Sequence, residues 1–391
     1  MIRLWRAILA AYKREFRRVV GDSDIILVVL AAPIVYALFY GGVYWYKGEH
    51  EAPIVIVDRD QSELSRTLIR FLDASEMIEV TNVTADFNEA REYIYNLSDE
   101  GIVYIPDTFQ KSIKTGQSGE LMVYLNTSRF LVSNDLYKAI NEIGITIGVS
   151  AKIRYLQSRG LDYDQAMAVA EPISTEVRSL FNPGGYYGDF LLPGLLLLIL
   201  QQTMLIGLAE SIARERESNS LRQWLIDTRG NIFAAITGKS LFYIILYIIY
   251  AAFFYAVIAG LFHLNLTGNG IIMLILLIPF FAVIVMMGIL ISSLFNKKIQ
   301  ALQFLALTSI PIFLLSGYSW PLQSMPAVIR WLAYLVPTTP FLDAFTRVAL
   351  MNAGLADVIG ALVHIIILLI IYYILAAWRL RKLAGINHQR V

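Results

Sequence analysis

The chain has 391 residues, 57% of them hydrophobic, with a mean hydropathy of +0.58 and a formal net charge of +1. That apolar share exceeds the roughly 45–50% usual in soluble domains, so the composition points to a membrane protein, and near-neutrality gives no bulk attraction to nucleic acid. The absence of cysteine excludes disulfides, thiolate metal sites and a cysteine nucleophile, and His50, His263, His364 and His388 have no ligand spacing.

Residues 1–24 read as an amphipathic interface helix. Trp5, Ile8, Leu9, Tyr12, Phe16 and Val19 recur on one face, and Arg3, Arg6, Lys13, Arg14, Arg17 and Arg18 occupy the other. Such a helix lies in the membrane interface, either as a simple anchor or as a strut that touches a partner. Residues 25–46 form the first expected transmembrane helix, ending in the aromatic cluster Tyr44-Trp45-Tyr46. Its apolar run is longer than the h-region of a signal peptide, and no small-residue cleavage site follows.

Residues 47–185 are polar, with short strands alternating with helices. Strands are expected at 53–57, 77–80, 101–105 and 121–125, and helices at 63–72, 86–97 and 135–158. This is a small α/β domain with a mixed sheet. Asp58 and Asp60, just after the first strand, fit turn and helix-cap chemistry better than a cation site.

Residues 186–391 carry five further spans, expected at 190–209, 240–262, 271–295, 299–316 and 358–378. The fold class is therefore an α-helical polytopic membrane protein of six transmembrane helices with an inserted α/β domain. Gln201, Gln202, Gln300 and Gln303 lie within spans, where amides tend to face other helices. They are candidates for a translocation path, with core packing as the alternative. Between the fifth and sixth spans, 317–340 is punctuated by Pro321, Pro326, Pro337 and Pro340, which suggests re-entrant or interfacial helices. Asp343 and Arg347, four residues apart, can pair as a structural brace.

The second span runs into Arg214-Glu215-Arg216-Glu217. Charge deep in hydrocarbon is costly, so this cluster is expected in water, as a helix continuing out of the membrane. It reads either as a solvated juxtamembrane run or as the contact for a soluble motor. The four segments on that side, 1–24, 210–239, 296–298 and 379–391, hold 17 Lys/Arg against 7 Asp/Glu, whereas 263–270 and 317–357 hold only Arg330 and Arg347 as basic residues. The positive-inside rule puts both termini in the cytoplasm and 47–185 outside. That domain has 13 basic and 21 acidic residues, which weighs against an anionic ligand. Gly238-Lys239-Ser240 resembles the end of a phosphate-binding loop, but Phe233 stands where that loop needs glycine. No catalytic, cofactor or metal site is expected in this chain.

The chain resembles the permeases (membrane subunits) of type-2 ABC transporters, in the branch with a large extracytoplasmic domain after the first helix. The resemblance rests on Asn182-Pro183, Pro193-Gly194, the Arg214–Glu217 stretch, Gly238-Lys239, Ser316-Gly317, Pro321, Met325-Pro326 and Pro337, followed by Asp343 and Arg347. Asn219-Ser220 replaces the family's Gly-Thr, Arg222 stands where an acidic residue is common, and Asp227-Thr228 falls where proline is frequent. The resemblance implies a bacterial inner-membrane exporter subunit. It implies separate ABC ATP-binding subunits that hold ATP and Mg, a second permease as homodimer or sister chain, and an outer domain that gates the exit or docks a periplasmic adaptor. It also implies a coupling segment at 210–239, with Arg214, Glu215, Arg216 and Glu217 offering salt bridges and Leu221, Trp224 and Leu225 inserting into the ATPase. Gly317 joins the outer prolines as structural. An amphipathic or lipid-like substrate, such as a drug, fits the apolar spans. The alternative is a non-transporting scaffold whose outer domain binds envelope or phage proteins.

Overall fold

The structure is a computed structural model that describes residues 2–383 other than 174, 176, 219 and 229. Asn219 and the end of the basic tail, 384–391, therefore lie outside the described residues, as do the side chains of Arg222 and Leu225. The chain separates into two compact units, one of Tyr46–Arg178 and one of the residues on either side of it.

The helical unit opens with a helix over Ile2–Val20. Among the described residues six helices are long and apolar enough to cross a bilayer: Ser23–Val43, Tyr187–Glu217, Ile232–Leu261, Gly270–Leu294, Lys298–Leu315 and Leu355–Leu383. They are called spans 1 to 6. Side-chain caps set several starts. Asn231 accepts from the Ala234 amide at the head of span 3, and Asn269 accepts from the Ile271 and Ile272 amides at the head of span 4. Span 2 is the axis of the bundle: 83% of its most apolar window is buried, against 11% for span 5. Close packing there depends on small residues. A Cβ on Gly207 would lie 2.2 Å from a Val29 methyl, and one on Gly288 would lie 2.7 Å from Leu208.

The hydropathy runs located all six spans but shortened three of them, among them span 6, which runs from Leu355 to Leu383 rather than 358–378. Span 2 continues to Glu217 and span 3 begins at Ile232 rather than 240. At about 1.5 Å per residue, 31 and 30 residues exceed the roughly 30 Å hydrocarbon core. The extra turns of span 2 are charged because they lie beyond it, whereas those of span 3, Ile232 to Lys239, are mostly apolar and include Ala234, which packs with Ala7 and Ile8 of the N-terminal helix.

Between spans 5 and 6 the chain forms helices at Ala327–Leu335 and Thr338–Phe345. The second of these enters the bundle. Phe341 stacks on Phe280 of span 4 at 3.7 Å between ring centroids, and Thr338 Oγ donates to the Gln201 side-chain oxygen of span 2. Gly317 has φ +81°, which turns the chain after span 5 and lets Tyr318 lie against Gly194, where a Cβ would come within 2.3 Å of its ring.

The Tyr46–Arg178 unit is an α/β fold with helices on both faces of one sheet. Its strands are β1 (Ala52–Asp58), β2 (Ile78–Thr84), β3 (Gly101–Ile105) and β4 (Met122–Leu125), in the order β2-β1-β3-β4. β1 pairs in parallel with β2 and β3, and β3 pairs antiparallel with β4. Strand alternation sorts the core. Ile54, Ile56, Val103 and Ile105 pack with Leu68, Leu72, Leu136 and Ile140 on one face, while Val55, Val57 and Ile102 pack with Ala90 on the other. Asp58 is turn chemistry: Oδ1 accepts from the Asp60 and Gln61 amides, and Oδ2 accepts from Ser65 Oγ.

Candidate functional site

The charged ends of spans 2 and 3 meet the N-terminal helix in a buried polar cluster. Lys239 and Glu215 are fully buried and Glu15 is 2% exposed. Lys239 Nζ donates to Glu15 Oε2 at 2.5 Å and to Ser211 Oγ at 2.7 Å. Ser211 Oγ and Tyr243 OH donate to Glu15 Oε1 at 2.6 and 3.0 Å. Arg18 pairs with Glu215, which also lies 3.7 Å from Lys239. Burial pushes the Glu15 carboxyl up, but Lys239, Ser211 and Arg18 more than offset this and hold it below the ordinary carboxylate value. Glu15 is therefore an anion at neutral pH, and the cluster alternates cations and anions from three separate elements.

Sequence reasoning missed the heart of this site. Glu15 sits at i+7 from Ile8, i+4 from Ala11 and i−4 from Val19, all buried. The periodicity was thus available, but a glutamate among six cations reads as part of the wet face. The apolar face is also displaced from expectation. Ala7, Ile8, Ala11 and Val19 are buried, whereas Trp5, Leu9 and Phe16 are at least half exposed. Lys239 belongs to a helix interior, not to a phosphate loop.

The expectation that 214–217 is solvated holds in part. Arg214 and Glu217 are exposed, while Glu215 is enclosed. Even the exposed members have partners in this chain. Arg214 pairs with Asp22, and Glu217 accepts from the Lys298 amide at 2.7 Å. Arg216 reaches the Ser293 carbonyl at 2.9 Å, the Phe295 carbonyl and Asn296 Oδ1 at 2.6 Å, so it caps the end of span 4. Arg379 of span 6 also donates to the Ser293 carbonyl, at 3.2 Å. These charges hold the ends of spans 1, 2, 4 and 6 and the head of span 5 together.

A short helix, Leu221–Asp227, follows span 2. Leu221 and Trp224 are 8% and 1% exposed, because they pack on the bundle, and Lys239 Nζ sits 5.3 Å from the Trp224 ring centroid. They anchor the helix from inside rather than projecting from it. The face it presents outward carries Gln223 and Ile226, the latter 57% exposed. Arg14 Nη1 pairs with Asp227 at 2.5 Å and Nη2 donates to the Ser220 carbonyl at 3.3 Å. The short helix is thus tied directly to the N-terminal helix and, through Lys239, to span 3.

The four glutamines do not form one surface. Gln201 and Gln202 are buried in span 2, whereas Gln300 and Gln303 are exposed in the first turns of span 5. Gln202 has no hydrogen-bond partner on either side-chain atom among the described residues. Asp343 and Arg347 pair at 3.2 Å with both side chains about half exposed, a contact worth about 1 kcal/mol or less. Pro321, Pro326 and Pro337 each immediately precede a short helical segment between spans 5 and 6.

Comparison with known proteins decides the family. The family model described as ABC-2 family transporter protein matches residues 24–378. The chain belongs to that family. ABC-2 permeases are multi-pass membrane subunits of ABC transporters and act with ABC ATP-binding subunits. Similar proteins include the probable multidrug ABC transporter permease YbhR of Escherichia coli (strain K12), 28% identical over 78% of this chain and 79% of the relative. The inner membrane transport permease YhhJ of the same strain is 21% identical over 95% of this chain and 96% of its own. The linearmycin resistance permease protein LnrN of Bacillus subtilis (strain 168) is 22% identical, covering 91% and 94%.

Proposed function

We propose that this ABC-2 permease is the membrane subunit of an exporter in the bacterial inner membrane, driven through its Leu221–Asp227 helix by a separate ATPase that binds ATP and Mg. The carrying observation is that this helix has its Trp224 in contact with the buried Lys239 and its Asp227 paired with Arg14. A push on its exposed face at Gln223 and Ile226 is therefore passed through these side-chain contacts to span 3 and the N-terminal helix. The positive-charge asymmetry of the loops supports cytoplasmic termini and an extracytoplasmic Tyr46–Arg178 unit.

Two permeases work as a pair. Span 5 supports this reading, since Leu307 and Ile310 on it are more than 70% exposed in the single chain. The substrate is amphipathic or lipid-like, in keeping with apolar spans and with relatives whose names refer to multidrug transport and linearmycin resistance. Gln202, with free hydrogen-bonding capacity, is the first candidate for a polar contact on the path. An adaptor docking on the extracytoplasmic unit completes the assembly.

The test uses inside-out membrane vesicles that contain the permease and its ATPase. A fluorescent amphipathic cation is expected to accumulate on adding ATP and Mg, and Ile226→Asp is expected to reduce the rate by about tenfold or more. Accumulation that needs no ATP, or that runs outward from these vesicles, contradicts the proposal.

A further inference from the structure

The Tyr46–Arg178 unit contains a cavity of about 740 Å³ beside its longest helix, Phe130–Ser158. That size falls within the roughly 300–1,000 Å³ of small-molecule sites. Leu68, Phe109, Val123 and Ile140 give it an apolar floor, and Tyr137, Asn141, Gln117 and Lys152 stand in its lining. Two glycines make the space. A Cβ on Gly148 would meet nothing within 4 Å, and one on Gly144 would meet only a Leu121 methyl at 3.7 Å. Glycine is among the least favourable residues in a helix interior, and nothing in the packing here requires its lack of a side chain. The opposite wall is the turn after residue 114. Gly116 has φ +79° and its Cβ position is 2.9 Å from the Tyr155 ring, so the turn is seated on that ring.

Charge identifies the occupant. Residues 47–185 carry 21 acidic and 13 basic side chains, yet no acidic residue lines this cavity and its one cation is Lys152. An adjoining cavity of about 390 Å³ shares Ile113, Ile147 and Tyr155 and adds Lys114 and Arg154 against the single acid Glu63. Lys152, Lys114 and Arg154 form no ion pair among the described residues. An apolar cavity with unpaired cations at its side, on an otherwise acidic unit, complements a molecule with one hydrocarbon body and one anionic head.

We infer that this unit binds an anionic amphiphile in that cavity, with the hydrocarbon over Phe109 and Ile140 and the head at Lys152. The site stands apart from the ATPase-coupling reading and needs no transport. It also reverses locally what the net acidity of residues 47–185 suggested.

The experiment uses the full chain in phosphatidylcholine nanodiscs and palmitate bearing a chain diazirine. After photolysis, adducts are mapped by peptide mass spectrometry. Adducts are expected within 109–123 and 137–156. Gly148→Phe, which fills the cavity on an intact helix, is expected to reduce them about tenfold, and Lys152→Glu about fivefold, relative to adducts on span 5. Excess unlabelled palmitate is expected to compete at those segments in the unaltered chain, so the test does not depend on any variant folding. The corresponding diazirine fatty alcohol is expected to label them about fivefold less. Labelling of span 5 without the two segments, labelling that palmitate does not compete, or labelling unchanged by Gly148→Phe overturns the site. Equal labelling by acid and alcohol overturns the anionic head.

Discussion

Lys239→Met, made in a chain that keeps Glu15, is expected to lower stability by about 3–5 kcal/mol. Methionine matches the length and apolar stem of lysine, so the change is mainly one of charge. It removes the cation that touches Glu15 at 2.5 Å and lies 3.7 Å from Glu215, both in a site closed to water. Breaking one side of a buried pair costs more than the pair is worth, because the remaining charge has no solvent to turn to. The double variant Glu15→Gln, Lys239→Met removes both charges and leaves an acceptor for the Ser211 and Tyr243 hydroxyls. It is expected to recover more than half of the loss. Thermal unfolding in mild detergent, followed by tryptophan fluorescence, reads both. A single variant as stable as the parent would mean that Glu15 and Lys239 do not meet in the folded protein.

The second large effect is at Gly238. Gly→Ala inside a helix ordinarily stabilises by about 0.5–1 kcal/mol. Here the sign is expected to reverse. The added Cβ would lie 2.4 Å from the Ile8 carbonyl oxygen and 2.5 Å from the Ala11 Cβ, and neither can swing aside as a flexible side chain would. The N-terminal helix must lift from span 3, and Glu15 lifts with it. Overpacking of this kind costs about 1–3 kcal/mol, and weakening of the Glu15–Lys239 contact adds to it. Because the chain has no cysteine, the displacement can be read directly. Ala7 and Ala234 share a buried cluster, so Ala7→Cys with Ala234→Cys is expected to crosslink in the parent and to crosslink several-fold less with Gly238→Ala. Equal crosslinking would place the contact between the two helices elsewhere.

Much of the fold could be read from the chain, for physical reasons that differ between its parts. Long apolar runs located the six spans because a helix that crosses hydrocarbon needs about 20 consecutive, mostly apolar residues. The strand at 101–105 kept its bounds because Pro106 ends it and Gly101 starts it against Leu125. The site was less legible. Glu215 and Lys239 looked like surface charge because hydropathy treats each residue alone, whereas their burial depends on Glu15 and Arg18 some two hundred residues away. Leu221 and Trp224 looked free to reach a partner because the sequence does not say which face of a seven-residue helix turns inward. Gly238-Lys239 offered only a near-miss to a phosphate loop and one short piece of the family resemblance. Its glycine is where the N-terminal helix docks, and its lysine is what Glu15 docks on.

The Leu221–Asp227 helix is proposed to receive an ATPase on its exposed face while the buried cluster holds it from within. Purification of the tagged chain in mild detergent, with mass spectrometry of whatever comes with it, tests this most directly. Ile226→Asp alters only an exposed side chain, so the variant is expected to elute as a folded membrane protein. A P-loop ATPase is expected to accompany the parent chain and to be lost from Ile226→Asp. An ATPase retained undiminished by Ile226→Asp, or absent from the parent even after crosslinking, would contradict it.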